Sequence, residues 1–286
     1  MKSSRTILRL TISVVLACAL VGFAFASASY AFGKRKDVRT RIGQNVKQAL
    51  DAVKATAQQR ADVEKAISDV LRTAEDAFGG TQGMPDVDDI LNIFQRDQID
   101  TRAVAAIKSR REARHTKLAD ALTQAFYDVH DALSVEQRQQ LTDYARGKVE
   151  GKHIRAFKQR LIDGFMNATI EDMLDQLDAA ASEREAAHAA RDEVIGSIRQ
   201  AQMTQQASLE RLSGLFRDDA VDKAELARFR TEKEAQLRTV TDAFEHAIAR
   251  VHAGFSAPHR QKLVEIVRAR RAHPPAHSAG GHDDGF

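Results

Sequence analysis

The chain contains no tryptophan, one cysteine and four prolines among its 286 residues, and aromatic residues make up 6% of it. The cysteine, Cys18, lies inside the N-terminal apolar segment. If that segment is removed, the rest of the chain has no disulfide, no thiolate metal site and no cysteine nucleophile. The sequence also lacks a nucleophile elbow, a phosphate-cradling glycine loop and a His-Glu-x-x-His motif. We therefore expect a protein that is not an enzyme.

The first 31 residues have the order of a secretory signal peptide. Lys2, Arg5 and Arg9 precede an uncharged apolar run, and small residues follow up to Ala31. This order predicts export with cleavage of residues 1–31. Retention of the segment as a membrane anchor is the alternative, because the apolar run is near the lower length limit for a membrane span. Lipid attachment at Cys18 is disfavoured, since apolar residues continue after it.

Cleavage would also change the charge of the protein. The full chain has 43 Lys and Arg against 40 Asp and Glu, a formal charge of +3. Three basic residues and no acidic residue belong to the signal segment, so the remaining chain is neutral. The calculated pI near 9.0 is then no indication of nucleic-acid binding, and we expect no nucleic-acid partner.

The composition favours α-helix almost throughout. Proline is scarce, Ala, Gln, Arg and Glu are abundant, and no segment shows the alternation of a β-strand. Apolar residues at helical spacing predict helices over residues 37–53, 56–78, 87–94, 100–133 and 134–147, and again over 153–177, 180–212 and from 222 onward. A Gly- and Pro-containing segment at 79–85 interrupts the series, and Asp100 is predicted to cap the long helix.

Residues 94–146 recur at 216–268 without a gap. At this offset of 122, 16 of 53 aligned residues are identical, where chance gives about three or four. Apolar positions of the long helix are apolar in both copies, so the repeat preserves a core face. We therefore predict two units, 36–147 and 153–271, followed by a disordered tail at 272–286. The retained residues include Phe94/Phe216, Asp100/Asp222, His130/His252, Ser134/Ser256 and Arg138/Arg260.

Two helix starts carry a capping box followed by arginine. Thr56 and Ser134 are expected to accept a hydrogen bond from the N–H three residues on, while Gln59 and Gln137 reach back to the cap's N–H. The following arginines, Arg60 and Arg138, are not needed for capping. We expect each to bind an acidic side chain or a group of carbonyls. Ser256 to Arg260 is a variant of this motif, and residues 180–184 are a degraded one.

The segment Leu133-Ser134-Val135-Glu136-Gln137-Arg138 resembles the Leu-Thr-x-x-Gln-Arg motif of the Spy/CpxP family of bacterial periplasmic proteins. Residues 56–60 and 255–260 are similar to it. The resemblance implies an all-α fold of bent helical hairpins. Members of that family usually have one unit, so the duplication here suggests a single-chain pseudo-dimer.

The same resemblance implies a function in the periplasm. It suggests an ATP-independent chaperone or envelope-stress protein that binds unfolded or misfolded envelope proteins, with a sensor protein of the inner membrane as a further candidate partner. Heavy-metal binding or sensing is the alternative within the same superfamily. Basic stretches such as residues 108–111 are either solvated helix faces or a surface for acidic clients.

Two groups of histidines are candidate metal ligands, one in the repeated units and one in the tail. His130 and His252 have no His or Cys three or four residues away, so a histidine that bonds a carboxylate or carbonyl is the favoured interpretation. The tail is the better candidate, because three of its histidines with neighbouring aspartates could hold Zn, Ni or Cu. No other cofactor is expected. These tail histidines are His273, His277 and His282.

Overall fold

The computed structural model describes residues 35–78, 86–149 and 167–272. Within these ranges it is helical and contains no strand, which confirms the all-α prediction. No helix in this part of the chain is long and apolar enough to cross a membrane. The signal segment and the histidine tail lie outside the described residues.

Most of the predicted helices are present with nearly the predicted bounds. In chain order they are α1 Arg35–Ala52, α2 Ala57–Phe78, α3 Val87–Phe94, α4 Thr101–Ala132, α5 Val135–Val149, α6 at 167–177, α7 Ala181–Met203, α8 Gln205–Arg217, α9 Lys223–Gly254 and α10 Ala257–Ala272. Helix α5 runs two residues beyond the predicted end at 147. The predicted cap is present, since the Asp100 carboxylate accepts hydrogen bonds from the N–H groups of Arg102 and Ala103.

Helices α2 and α4 form an antiparallel pair in the first half of the chain. The start of α2 meets the end of α4, where the Gln59 side chain donates to the Ala132 carbonyl at 2.9 Å. The end of α2 meets the middle of α4, where the rings of Phe78 and His115 are 5.2 Å apart. Val63, Ile67, Val70, Leu118 and Phe126 fill the space between them, together with apolar residues of α1.

Helices α7 and α9 form the corresponding pair in the second half. They approach so closely near the end of α9 that a Cβ on Gly254 would lie 2.5 Å from the Cβ of Ala186. Ala190, Val194 and Ala247 pack between the two helices. Because this half uses smaller residues at its helix contact, the backbones can come together where glycine and alanine face each other.

Each half is completed by a short helix from the other half. Phe216 and Leu212 of α8 are buried in the first-half core. Leu91 and Phe94 of α3 pack against Val264 of α10. The apolar cores therefore cross the boundary that the sequence predicts between residues 147 and 153.

The single helix predicted over residues 180–212 is wrong. Helix α7 ends at Met203 and α8 begins at Gln205, with Thr204 between them. The Thr204 hydroxyl donates to the Ala201 carbonyl at 3.1 Å. The apolar residues of α8 pack in the first-half core, whereas those of α7 pack against α9 in the second half.

The repeat extends to the turns before α2 and α7, but at a different offset. Lys54 and Asp178 both have positive φ, at 52° and 53°, and they are 124 residues apart. The offset becomes 122 from the short helices onward, as Phe94 and Phe216 show. The two-residue difference in offset therefore falls between the first helix of each hairpin, α2 or α7, and the short helix that follows it, α3 or α8.

Candidate functional site

The first-half capping boxes have the hydrogen bonds expected from the sequence. The Thr56 hydroxyl accepts from the Gln59 N–H at 3.2 Å, and the Gln59 side chain accepts from the Thr56 N–H at 2.9 Å. At the start of α5 the Ser134 hydroxyl accepts from the Gln137 N–H at 3.3 Å, and Gln137 accepts from the Ser134 N–H at 3.0 Å. These bonds satisfy N–H groups that a helix start would otherwise leave unpaired.

The two glutamines also bind each other. The Gln59 amide donates to Gln137 Oε1 at 2.7 Å, and the Gln137 amide donates to Gln59 Oε1 at 3.0 Å. Each amide reaches one further carbonyl, Ala132 for Gln59 and Val53 for Gln137. The pair therefore joins the start of α2 to the start of α5 in one hydrogen-bond network, which we call the first-half junction.

The arginine after each box binds acidic and carbonyl groups, as expected. Arg60 donates to Asp51 at 2.6 Å and to the Ala55 carbonyl at 2.9 Å. The equivalent Arg184 donates to Asp175 at 2.7 Å and to the Ala179 carbonyl at 3.2 Å. Each arginine thus fastens the turn that precedes its helix.

Arg138 is buried and connects the two halves. Its guanidinium donates to the His130 and Leu133 carbonyls of the same half, at 3.0 and 2.8 Å. It also donates to the Asp218 carbonyl of the second half at 2.8 Å. Arg260 repeats this arrangement, since it donates to the Phe255 carbonyl at 2.7 Å and to the carboxylate of Asp97 at 3.3 Å.

His130 and His252 make equivalent contacts across the halves. His130 Nε2 lies 3.0 Å from the Asp218 carbonyl oxygen, and His252 Nε2 lies 2.8 Å from that of Arg96. Asp218 and Arg96 are themselves 122 residues apart. Each imidazole ring also contacts, edge-on, a phenylalanine of the short helix that comes from the opposite half. The ring centroids of His130 and Phe216 are 6.0 Å apart, and those of His252 and Phe94 are 5.7 Å apart.

The carbonyl-binding role favoured for these histidines from the sequence is therefore present, with two additions. Both side chains are buried, and the carbonyl belongs to the opposite half. Each histidine has its Nε2 committed to a main-chain oxygen, so Nδ1 is the ring nitrogen that remains, and in His130 it lies 3.2 Å from the Asp131 carboxylate.

A hydrogen bond between a carboxylate and an imidazole occurs in the second half where the first half has the amide pair. Glu183 and His259 stand at the positions of Gln59 and Gln137, and Glu183 Oε2 lies 2.7 Å from His259 Nδ1. Glu183 also accepts from the Ala180 and Ser256 N–H groups, each at 3.0 Å. Ala180 has no hydroxyl, so the carboxylate supplies the only side-chain cap at this helix start. We call this network the second-half junction.

The charge of Glu183 is stabilised by its hydrogen bonds. Burial raises the pKa of this carboxyl, but the N–H groups of Ser256 and Ala180 and the His259 side chain outweigh that effect. The net result holds the pKa of Glu183 below its usual range. The ionised form is therefore the form that fits the folded structure.

Two equivalent ion pairs join the long helices α4 and α9. Lys108 Nζ lies 2.8 Å from Asp242, and an Arg230 amino group lies 2.7 Å from Asp120. Arg230 is the counterpart of Lys108, and Asp242 is the counterpart of Asp120, each at the offset of 122. The basic residues at 108–111 are thus not simply a solvated face, because Lys108, Arg110 and Arg111 all pair with carboxylates.

Arg110, Arg111 and Arg114 surround the buried carboxylate of Asp86 just before α3. Beside them, burial and the charges of Arg114 and Arg111 lower the pKa of His115 to about 4. This cluster holds α3 against α4, and its arginines are engaged by carboxylates rather than open to a ligand.

An open apolar cavity of about 310 Å³ lies in the second half. Its walls come from α6, α7, α9 and α10 and from the exchanged helix α3, and Arg191 is the one charged residue among those lining it. Phe244 lies at its edge with 42% of its surface exposed. Representative lining residues are Phe94, Met173, Leu177, Ala187, Phe255 and Leu263.

The residues lining the cavity differ from their first-half counterparts in both directions, since Met173 and Phe244 are larger than Ala49 and Leu122 at the equivalent positions. Ala187 and Ile248 stand where the first half has Val63 and Phe126, both buried there. Arg191 replaces the buried Ile67. The sequence shows that the apolar positions of the long helix recur in both copies, but it does not show a cavity, because the packing of distant helices leaves no local pattern.

Among the described residues no group of three or more His, Cys, Asp or Glu side chains could hold a metal ion. The predicted ligands His273, His277 and His282 lie outside these ranges, so metal binding by the tail stays a prediction.

Comparison with known proteins adds no assignment to this geometry. No protein-family model, no curated protein and no solved structure matches the chain.

Proposed function

We propose that this chain is a periplasmic, ATP-independent chaperone-like protein that binds apolar segments of unfolded envelope proteins. Its scaffold would be a single-chain pseudo-dimer of two hairpin units similar to those of the Spy/CpxP family. The single observation that carries the binding function is the open apolar cavity of the second half, with Phe244 at its edge. An open pocket with mainly apolar walls is the usual place for a protein to bind an apolar group.

The reciprocal contacts support the pseudo-dimer. The His130 and His252 contacts, the Arg138 and Arg260 contacts and the Lys108 and Arg230 ion pairs each occur once in either direction. An isologous dimer interface has this property, since each contact is repeated by its symmetry mate. The fused chain would keep the interface while freeing one half to diverge.

The divergence supports a binding role for the second half. Its helix starts and cross-half contacts are retained, whereas its cavity lining differs from the first-half core in side-chain size in both directions. A lining that has changed in one half only supports a separate role for that half.

Aggregation of a chemically denatured client, followed by light scattering without ATP, tests the proposal. The chain without residues 1–31 should suppress scattering, and Phe244→Ser should weaken the suppression because it removes apolar surface at the cavity edge. Met203→Ser is the matched control, since Met203 is 76% exposed and does not line the cavity. Equal loss in both variants, or no suppression by the unaltered chain, would contradict the proposal.

A further inference from the structure

The carboxylate of Glu183 ties together two helix starts of the second half. One oxygen accepts from the Ser256 N–H before α10, and the other accepts from the Ala180 N–H before α7, each at 3.0 Å. The second oxygen also lies 2.7 Å from His259 Nδ1 on α10. With 6% of its side chain exposed, Glu183 holds the start of α7 against the start of α10 through bonds that water cannot readily replace.

The protonated form of Glu183 does not fit these partners. A protonated carboxyl carries an O–H group that needs an acceptor. Both oxygens face main-chain N–H groups, which only donate. A proton on either oxygen would therefore displace one N–H group, and Ala180 has no side-chain hydroxyl that could restore its cap.

The second-half junction borders the apolar cavity. Ala187 lies one helical turn beyond Glu183, and Phe255 and Leu263 line the cavity on either side of the start of α10. These three wall residues belong to one apolar cluster. Separation of the two helix starts would therefore expose part of the cavity wall to solvent.

The first-half junction is built from groups that do not titrate. Gln59 and Gln137 are amides, and each caps its own helix start. The positions equivalent to the three wall residues are buried in the first-half core. The half with the open cavity is thus also the half whose junction can take up a proton. These buried positions are Val63, Leu133 and Leu141.

Other charged groups near the second-half junction have partners of their own. Arg184 pairs with Asp175, Arg260 pairs with Asp97, and His252 contacts the Arg96 carbonyl. His259 is the titratable side chain in contact with Glu183.

Burial raises the pKa of Glu183, but its hydrogen bonds outweigh that effect and hold the pKa below the ordinary value of 4.5. The ionised carboxylate therefore stabilises the closed junction above about pH 4.5. This contribution is lost as the pH falls through the lower value of the folded state.

We propose that acidification opens the second half at this junction while the first half stays closed. Uptake of a proton by Glu183 releases the start of α7 from the start of α10, and the wall residues between them become accessible. The cavity then binds apolar segments more strongly in acid than at neutral pH. This regulation of binding rests on the proposed function, whereas the opening itself does not.

Hydrogen exchange of the chain without residues 1–31, corrected at each pH for the intrinsic rate of every amide, measures the opening. Protection at the starts of α7 and α10 should fall about tenfold between pH 5 and pH 3. The starts of α2 and α5 are an internal control in the same molecule and should stay protected. An equal loss in both halves, or no loss in the second half, would overturn the proposal.

Substitutions at the junction separate its opening from general acid sensitivity. Glu183→Gln alone turns an amide N–H toward a main-chain N–H, so it should be as unprotected at pH 7 as the unaltered chain is in acid. Glu183→Gln combined with His259→Gln recreates the first-half amide pair and should stay protected at both pH values. The matched control is Glu171→Gln, since Glu171 lies 2.7 Å from His188 with 43% of its side chain exposed, and it should keep the acid response.

An acid response that survives in the double variant would overturn the proposal, as would full protection of Glu183→Gln at pH 7. Circular dichroism verifies folding, and the double variant decides the outcome if the single variant does not fold. The aggregation assay separates opening from function. At pH 7, Glu183→Gln should suppress scattering more strongly than the double variant. Equal suppression would contradict the regulation, and opening without suppression by the unaltered chain would contradict the proposed function alone.

Discussion

Several residues that are identical in both copies of the repeat make contacts between the two halves. His130 and Arg138, with their counterparts 122 positions on, contact the exchanged segment of the opposite half, and Phe94 and Phe216 lie on those segments. A substitution at any of them would leave a buried carbonyl unpaired or a core incomplete, which is costly. Their identity in the sequence was visible, but their partners were not, because a contact between distant segments leaves no local pattern.

Arg138→Leu should lower the free energy of unfolding by about 3 kcal/mol, since it leaves several buried carbonyls without donors. Arg60→Leu is the control, because Arg60 is 29% exposed and its acidic partner is on the surface, and it should cost about 1 kcal/mol. Urea unfolding of both variants measures the difference. Equal costs would show that burial of the Arg138 bonds has no special weight.

His115→Leu should reduce the loss of stability on acidification. Burial and the charges of Arg114 and Arg111 lower the pKa of His115 from its ordinary value of 6.5 to about 4 in the folded state. Between these pH values the unfolded chain binds a proton that the folded chain does not, so stability falls as the pH falls from 6.5 to 4. Leucine is the residue at the equivalent position 237, and thermal unfolding at pH 7 and pH 4.5 should show a smaller difference in the variant. An unchanged difference would contradict this account.

Glu183→Gln, which introduces the residue found at position 59, tests the second-half junction. Because the pKa of Glu183 is lowered by folding, its contribution to stability is present above the unfolded value near 4.5 and is lost as the pH falls through the lower folded value. The variant should therefore have a flatter stability profile below pH 4.5, measured by urea titration at several pH values. Gln59→Glu provides the reverse comparison, and a wild-type slope in Glu183→Gln would count against the junction.

Helices were the most predictable level of the structure. Capping residues such as Asp100 and Thr56 mark their helix starts in the sequence, and the corresponding hydrogen bonds are present. The break at Thr204 was missed because residues 180–212 contain no glycine–proline signal at that point. Because α8 packs in the first-half core, a long-range contact overrides the local helix propensity at this point.

The contact between α7 and α9 gives a matched pair of glycine substitutions. Gly254→Ala should destabilise the protein by about 1–3 kcal/mol, because its Cβ would lie 2.5 Å from the Cβ of Ala186. Gly196→Ala, within α7, has nothing within 4 Å of its added Cβ and should stabilise by up to about 1 kcal/mol. Thermal unfolding of the two variants gives the comparison, and shifts in the same direction would contradict the close approach.

The whole molecule is organised by exchange between its halves. The repeated sequence predicted two units, but their crossed short helices required the structure, since an aligned repeat is compatible with separate or interlocked copies. Charge placement within each half shows the repeat itself. Asp89 pairs with Arg110 in the first half, while Arg211 pairs with Glu232 at the equivalent positions with the signs reversed. The ion pair is retained even though each residue has changed.

The walls of the apolar cavity come from both halves of the chain. Phe94 from the first half forms part of its wall, so the second half depends on the exchanged helix for its shape. The sequence identified both halves as apolar at these positions. It did not identify the cavity, because the cavity depends on how helices from both halves pack around it.

Hydrogen exchange on Phe216→Ala and Phe94→Ala tests the exchanged arrangement most directly. Each truncation should cost about 3–5 kcal/mol. Beyond its own short helix, Phe216→Ala should accelerate amide exchange mainly in α2 and α4, and Phe94→Ala mainly in α9 and α10. If Phe216→Ala instead loosened only α7 and α9, and Phe94→Ala only α2 and α4, the two halves would be independent units and the exchange would be contradicted.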